Sequence, residues 1–147
     1  MNINHYNEEY AIYGMLFSLS NRIQTLGDKA FSDITMKQHF LMVALELFIE
    51  PPSLKQMGEL IGCSYQNVKR MASQLEKNRY LIIQQDRVDK RKLLLVSTGK
   101  MKQVAEESKE ASIKFLISLY QDITRDDLKV TLATLKKMDQ NIGGLIE

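Results

Sequence analysis

The stretch SLKQMGELIGCSYQNVKRMASQLEKNRYLIIQQDRVDKRKLLLVS, residues 53–97, decides how this chain folds. Ser53 and Ser64 each precede a short amphipathic pattern, over 54–61 and 65–78. A serine hydroxyl there can accept a hydrogen bond from an otherwise unpaired N–H of the first helical turn. Gly58 offers a small surface where the second helix crosses the first, and Gly62 tolerates the left-handed backbone of a tight turn. Val68, with Met57, Ile61, Cys63 and Met71, supplies the inward apolar face. Asn78 is the expected left-handed residue at the end of the second helix. Two apolar runs follow, over 80–83 and 93–96, and the charged segment between them predicts a two-stranded hairpin.

Working outward, residues 36–49 are apolar nearly all round and predict a central buried helix. Thr35 caps its start, and Pro51-Pro52 stops it. Upstream, Tyr6, Tyr10, Tyr13 and Phe17 recur at helical spacing within a helix over 5–26, which Gly27-Asp28 ends. Residues 29–34 form a connection. Downstream, Met101, Val104, Ala105, Ser108, Ala111, Ser112, Phe115, Leu116 and Leu119 mark one stripe of a long helix over 98–120. Thr124 to Asp127 resembles a capping box, and it opens a last helix over 125–142 that Gly143-Gly144 ends. Its apolar side carries Leu128, Leu132, Leu135, Met138 and Ile142. The fold class is therefore mainly α with a small β-hairpin wing, a winged helix–turn–helix between N- and C-terminal dimerisation helices. The length of 147 residues fits a single domain.

Charge is unevenly placed. Residues 53–92 hold nine Lys or Arg against four acids, a net of +5, whereas the whole chain carries +2 and the remainder therefore −3. A basic middle between acidic flanks predicts one surface that faces a polyanion. No apolar run approaches the roughly 20 residues of a membrane span, and MNINHYNEEY at the start lacks the apolar region of a secretory leader. The single cysteine rules out an internal disulfide framework. These features place the chain in the cytoplasm, with no membrane partner.

The register of the second helix turns Ser64, Gln66, Asn67, Lys69 and Arg70 away from the core. Such side chains hydrogen-bond base edges and phosphates. Ser53, at the start of the first helix, joins them as a candidate contact. The hairpin tip carries Arg87, Lys90, Arg91 and Lys92. It is suited to rest on phosphates and to place an arginine in a narrow minor groove. Asp89 lies two residues before Arg91 and is placed to orient its guanidinium in a planar ion pair. The expected partner is double-stranded DNA.

The same residues carry a family resemblance. Ile34-Thr35-x-x-Gln38-His39-Phe40 resembles the Leu-Thr-x-x-Gln-aromatic start of the second helix in the MarR (multiple antibiotic resistance regulator) family. Val68-x-Arg70-x-x-x-x-Leu75-Glu76-x-x-x-Tyr80-Leu81 is similar to the end of that family's recognition helix and its first wing strand, with Asn78 where a glycine is usual. Asp86-x-x-Asp89-Lys90-Arg91, followed by Leu95-Val96-Ser97, resembles its wing and exit, with Ser97 in the threonine position and Gly99 early. The resemblance spans roughly residues 6–142 in helix order, and residues 34–99 carry its specific motifs. It implies a DNA-binding lobe over 34–99 and dimerisation helices over 5–26 and 98–146. It also implies a homodimer, a ligand-responsive repressor role on a palindromic operator, and a small aromatic or lipophilic effector. The candidate pocket wall is Tyr10, Tyr13, Phe17, His39, Phe40 and Met101, each of which also suits plain core packing. The broad apolar stripes of the terminal helices independently call for a partner surface.

Other classes find less support. His5 and His39, with scattered carboxylates, have no metal-ligand spacing, and no cofactor is expected. Cys63 at a helix start would suit a redox sensor, but it falls on a core position of the turn and reads as a buried thiol. An enzyme would need a nucleophile with its base, paired carboxylates, a phosphate-binding loop or a metal cluster, and the sequence shows none. A helical adaptor without specific DNA binding is the remaining alternative, and the basic hairpin tip argues against it.

Overall fold

The computed structural model describes residues 7–146. The order is α1 (Glu8–Ala30), α2 (Met36–Leu45), α3 (Leu54–Ile61), α4 (Tyr65–Lys77), β1 (Leu81–Gln85), β2 (Leu93–Ser97), α5 (Gly99–Leu119) and α6 (Arg125–Ile146). The expected helix start at residue 5, with His5 and Tyr6, lies outside the described residues. The chain divides between Glu106 and Glu107 into two compact units.

The first unit is built on the helical pair α3–α4. Ser53 caps α3 through a full capping box: its hydroxyl accepts from the Gln56 N–H, and the Gln56 side chain accepts from the Ser53 N–H. Gly62 ends α3 at φ +67°, ψ 35°, the left-handed turn expected of it. Gly58 is required for a sharper reason: a Cβ there would sit 2.6 Å from the Cys63 carbonyl oxygen. The Cys63 N–H donates to the Gly58 carbonyl at 2.9 Å, so the chain folds back on α3 backbone to backbone. Val68, Met71, Ala72 and Leu75 of α4 then bury against Leu54 and Met57 of α3, Leu41 and Leu45 of α2, and Leu81, Leu95 and Met101. Ile61 and Cys63 are half-buried at the edge of this core.

Several boundaries differ from expectation. Helix α1 runs through Gly27 to Ala30, because Gly27 is a close-contact residue and not a stop: a Cβ there would overlap the Met36 side chain. Asp28 reinforces the crossing by accepting the Met36 N–H at 2.6 Å. Helix α2 ends at Leu45, short of the expected residue 49. The N–H groups of Leu47 and Phe48 reach back only three residues, to Ala44 and Leu45, and tighten the chain out of α geometry ahead of the prolines. Its burial is one-sided as well, since Gln38, Leu41, Met42, Ala44 and Leu45 are buried while Phe40 and Val43 are exposed.

The left-handed residue after α4 is Arg79 (φ 62°), not Asn78 (φ −85°). The Arg79 N–H donates to Glu76 and the Tyr80 N–H to Leu75, the paired bonds of a Schellman cap with arginine where glycine is the ordinary choice. Strands β1 and β2 pair antiparallel with Leu81 opposite Ser97 and Gln85 opposite Leu93, one or two residues displaced from the apolar runs.

The second unit holds the rest of α5 and all of α6. Along α5 as a whole, Met101 is buried and Val104, Ser108, Ser112, Phe115 and Leu119 are half-buried, the inner line of the expected stripe. Asp122 breaks the chain at φ 60°. Thr124 accepts the Asp127 N–H, while the Asp127 carboxylate takes the Thr124 hydroxyl and not its backbone N–H, so the box closes on side chains. Helix α6 continues through Gly143-Gly144 to Ile146, since neither glycine takes a positive φ and glycine weakens a helix without forbidding it.

Two substitutions test the local strains in opposite directions. Gly58→Ala should destabilise the fold by about 1–3 kcal/mol through backbone overlap. Arg79→Gly should stabilise it by up to ~1 kcal/mol by relieving a left-handed arginine. Thermal and urea unfolding of both variants against the parent would check the signs.

Candidate nucleic-acid interface

Helix α4 presents one continuous polar ridge. At 100° per residue, Gln66, Arg70 and Lys77 fall opposite the buried line of Val68, Met71 and Leu75, with Asn67 and Lys69 on the flanks. Ser64, Gln66, Asn67, Lys69 and Arg70 are all exposed, as their register requires. The Ser64 hydroxyl accepts the Asn67 N–H at 3.3 Å, which seats the first turn and leaves other N–H groups of the helix start toward solvent. Tyr65, exposed by 41% at the first position of α4, was not among the sequence candidates. Its signal was available, as an aromatic directly after a capping serine. Ser53 is half-buried and already occupied by its capping box and by a bridge to Leu94, which leaves only its hydroxyl proton to donate outward.

In the wing, β1 and β2 with the intervening residues 86–92, the charged tip is a closely hydrogen-bonded turn. The Asp86 carboxylate accepts the N–H groups of Val88 (2.7 Å) and Asp89 (2.8 Å). Backbone bonds join the Asp86 N–H to Lys92 and the Lys92 N–H to Asp89, and the Gln85 amide donates to the Lys90 carbonyl. Asp89 accepts both the backbone N–H and the Nε of Arg91, at 3.1 and 3.2 Å. The expected ion pair therefore exists, made through Nε alone, and the Arg91 side chain remains 92% exposed. Arg87, Lys90 and Lys92 are also exposed around the tip. Asp89 is a positioning residue for Arg91, since its carboxylate oxygen is engaged by the arginine.

These bonds hold both wing carboxyls below the ordinary value of 3.8. For Asp86 the main causes are the bonds from the Asp89 and Val88 N–H groups, and for Asp89 the side-chain and backbone bonds from Arg91. Burial holds the half-buried His39 imidazole below its ordinary 6.5, and its ring stacks on Phe31 at 4.6 Å.

Fastening of the wing to α4 is the part sequence reasoning missed. The Glu76 carboxylate, one residue before the end of α4, accepts the Ile83 N–H of β1 at 2.7 Å. On the other strand, the Leu95 N–H donates to the Pro52 carbonyl at 2.9 Å. The Thr98 hydroxyl lies 2.8 Å from the carbonyls of both Arg79 and Tyr80. Lys100 donates to the Asn78 carbonyl at 2.9 Å and lies 4.2 Å from the centre of the Tyr80 ring, so this cation fastens the fold. Glu76 would be hard to find in advance, because its partner is set by strand register.

An apolar groove of about 430 Å³ lies in the same unit, between Leu16, Leu19 and Ile23 of α1 and Met36 and Phe40 of α2, with Cys63 and Met71 lining it as well. Lys37, Ser20 and Gln24 supply its polar side chains. Of the six residues expected to wall an effector pocket, only Phe40 lines this groove. Tyr10, Tyr13 and Phe17 are exposed on α1, with Tyr13 and Phe17 meeting edge to face at 5.1 Å. His39 packs on Phe31, and Met101 is buried in the core. Among the described residues, no cluster of three metal-ligating side chains occurs, and no helix is long and apolar enough to cross a membrane.

No protein-family model and no curated protein sequence matches the chain. Solved structures do. A MarR protein from Peptoclostridium difficile superposes with a TM-score of 0.82 at 19% identity, over 97% of this chain and 92% of that one. The chain has the MarR fold. Reduced AbfR bound to DNA shares it at a TM-score of 0.74 and 20% identity, over 100% of both chains. So does Bordetella bronchiseptica BpsR, solved to explain regulation of its DNA binding by 6-hydroxynicotinic acid, at a TM-score of 0.73 and 18% identity over 87% of this chain and 98% of that one.

The wing's dependence on pH follows from the sign of its shifts. Carboxyls held below their ordinary value favour the folded turn fully above that value, and the contribution is lost as pH falls through the lower folded value. Amide resonances of Val88, Asp89 and Arg91 should stay constant from about pH 8 to about pH 5 and move only below about pH 4. A midpoint at or above the ordinary carboxylate range would contradict the turn described.

Proposed function

We propose that this protein is a sequence-specific DNA-binding transcription regulator, acting in the cytoplasm as a homodimeric repressor on a palindromic operator. It is not an enzyme in this reading. Residues 34–99 form the DNA-binding lobe, and the segments 5–26 and 98–146 form the dimerisation helices of one functional domain. The observation that carries the proposal is the pairing of an exposed polar α4 ridge with a basic wing that Glu76 ties to that same helix. A protein that merely displayed charge would not need the turn fixed at so many points. Gln66, Asn67 and Arg70 suit base edges in a major groove, Ser53, Ser64 and Lys69 suit phosphates, and Arg91, steadied by Asp89, suits a minor groove flanked by Arg87, Lys90 and Lys92. The DNA-bound AbfR structure supports the same use of the fold.

Dimerisation is supported by apolar surface that the single chain leaves open. On α1, Tyr10, Tyr13, Phe17 and Leu26 are each more than half exposed, and on α5 and α6 so are Ile117, Val130 and Ile142. A second copy is the simplest cover for such a surface, and two-fold symmetry then calls for a palindromic site. The α1–α2 groove has the size and lining of a small-molecule site, which supports a small aromatic or lipophilic effector, as BpsR has in 6-hydroxynicotinic acid.

Selection of bound duplexes from a random pool tests the proposal directly. Enrichment of a palindrome is expected, whereas failure to enrich any sequence would overturn the reading. On the recovered duplex, Arg91→Ala should weaken binding by about 1–3 kcal/mol in a gel-shift titration.

A further inference from the structure

The wing tip carries a side chain that neither core packing nor phosphate neutralisation explains. Val88 is 95% exposed, and among the described residues only Ile49 of the large apolar ones is more open. It sits between Arg87 and Asp89, where a polar residue would serve solubility better. Its backbone is nonetheless tightly held. The Val88 N–H is bound by the Asp86 carboxylate, and the same oxygen holds the next N–H in the chain. Further bonds from Gln85, Asp86 and Lys92 close the turn around it. A β-branched side chain has few rotamers to lose, so little entropy opposes its making a contact. The result is a stiff apolar point, presented on a fixed backbone and ringed by the cations Arg87, Lys90, Arg91 and Lys92.

Taking the wing as a minor-groove element, a reading that rests on the function proposed above, we infer that Val88 is an apolar contact on the deoxyribose wall of that groove. The groove offers acceptors on its floor and carbon-rich sugar faces on its sides. The surrounding cations answer the phosphates, and Arg91 answers the floor. A valine is too short to unstack a base step, which separates this contact from the kinking wedges of architectural proteins. Packed on sugar, it adds affinity by removing apolar surface from water and sets how deep the tip sits. That contribution does not involve counterion release, so it leaves the salt dependence of binding unchanged. The sugar wall is common to every sequence, so Val88 contributes affinity without base preference.

The test is a salt series of gel shifts on the duplex recovered by selection, comparing the parent with Val88→Ser, Val88→Ile and Arg87→Ala. Val88→Ser should weaken binding roughly 5- to 10-fold, the effect of losing a partly buried pair of methyl groups, with the slope of log affinity against log salt unchanged. Val88→Ile should bind within about twofold of the parent. Arg87→Ala, losing a phosphate contact, should weaken binding and also reduce the slope by about 0.9. Parental affinity in Val88→Ser would overturn the inference while leaving the DNA-binding reading intact. A changed slope in Val88→Ser would overturn it too, because the loss would then lie in the phosphate contacts. If the parent protein enriches no duplex, both the reading and this inference fall together. Because the side chain touches solvent, Val88→Ser should unfold at the parental temperature, which separates a lost contact from a damaged turn.

Discussion

Everything in the first unit depends on a backbone-to-backbone approach between α3 and the residue after its turn. Gly58 has no Cβ, so the Cys63 carbonyl can come close enough to fix the crossing of α3 and α4. Gly62 supplies the left-handed turn that makes this approach possible. With the angle set, Val68, Met71, Ala72 and Leu75 have one way to bury, and the residues between them have one way to face out. The exposed ridge of Gln66 and Arg70 is thus a consequence of two glycines a few residues upstream.

The wing inherits that geometry through a series of polar fasteners. Arg79 turns the chain in a strained left-handed step, and the Thr98 hydroxyl lies close to the successive carbonyls of Arg79 and Tyr80. Glu76 reaches from α4 to β1, and Pro52 meets β2 from the other side. The buried Gln38 of α2 ties that helix to α4, since its side chain accepts the Thr35 N–H while donating to Gln74 at 2.7 Å. Each of these bonds is modest alone, on the order of 1 kcal/mol. Their common effect is to join the wing to the helical pair through both of its strands.

The sequence is most readable where structure is decided locally. The caps at Ser53, Ser64 and Thr35, the turn at Gly62 and the outward set on α4 all follow from neighbours within a few residues, and they appear as expected. Features decided by a distant partner were not legible. Gly27 looks like a helix stop until Met36 is seen packed against it, and the exposure of Phe40 and Val43 depends on what covers one side of α2. The aromatic residues of α1 drew attention as a pocket wall, yet the groove is made by Leu16, Leu19 and Ile23 on another face of that helix. Periodicity identifies that a face exists, but not which neighbour it meets. Glu76 illustrates the same limit, since its role requires knowing which N–H of β1 points outward.

That outward N–H has one more consequence. A two-stranded sheet has two open edges, and exposed edges are templates on which other chains can pair and aggregate. Here one edge is occupied by the Pro52 carbonyl and the Ser53–Leu94 bridge, while on the other Glu76 places a carboxylate over the Ile83 N–H. Each edge of the wing is therefore blocked at the level of the Ile83–Leu95 pair. A second wing could not add along the whole of either strand without displacing the Glu76 carboxylate or the Pro52 carbonyl.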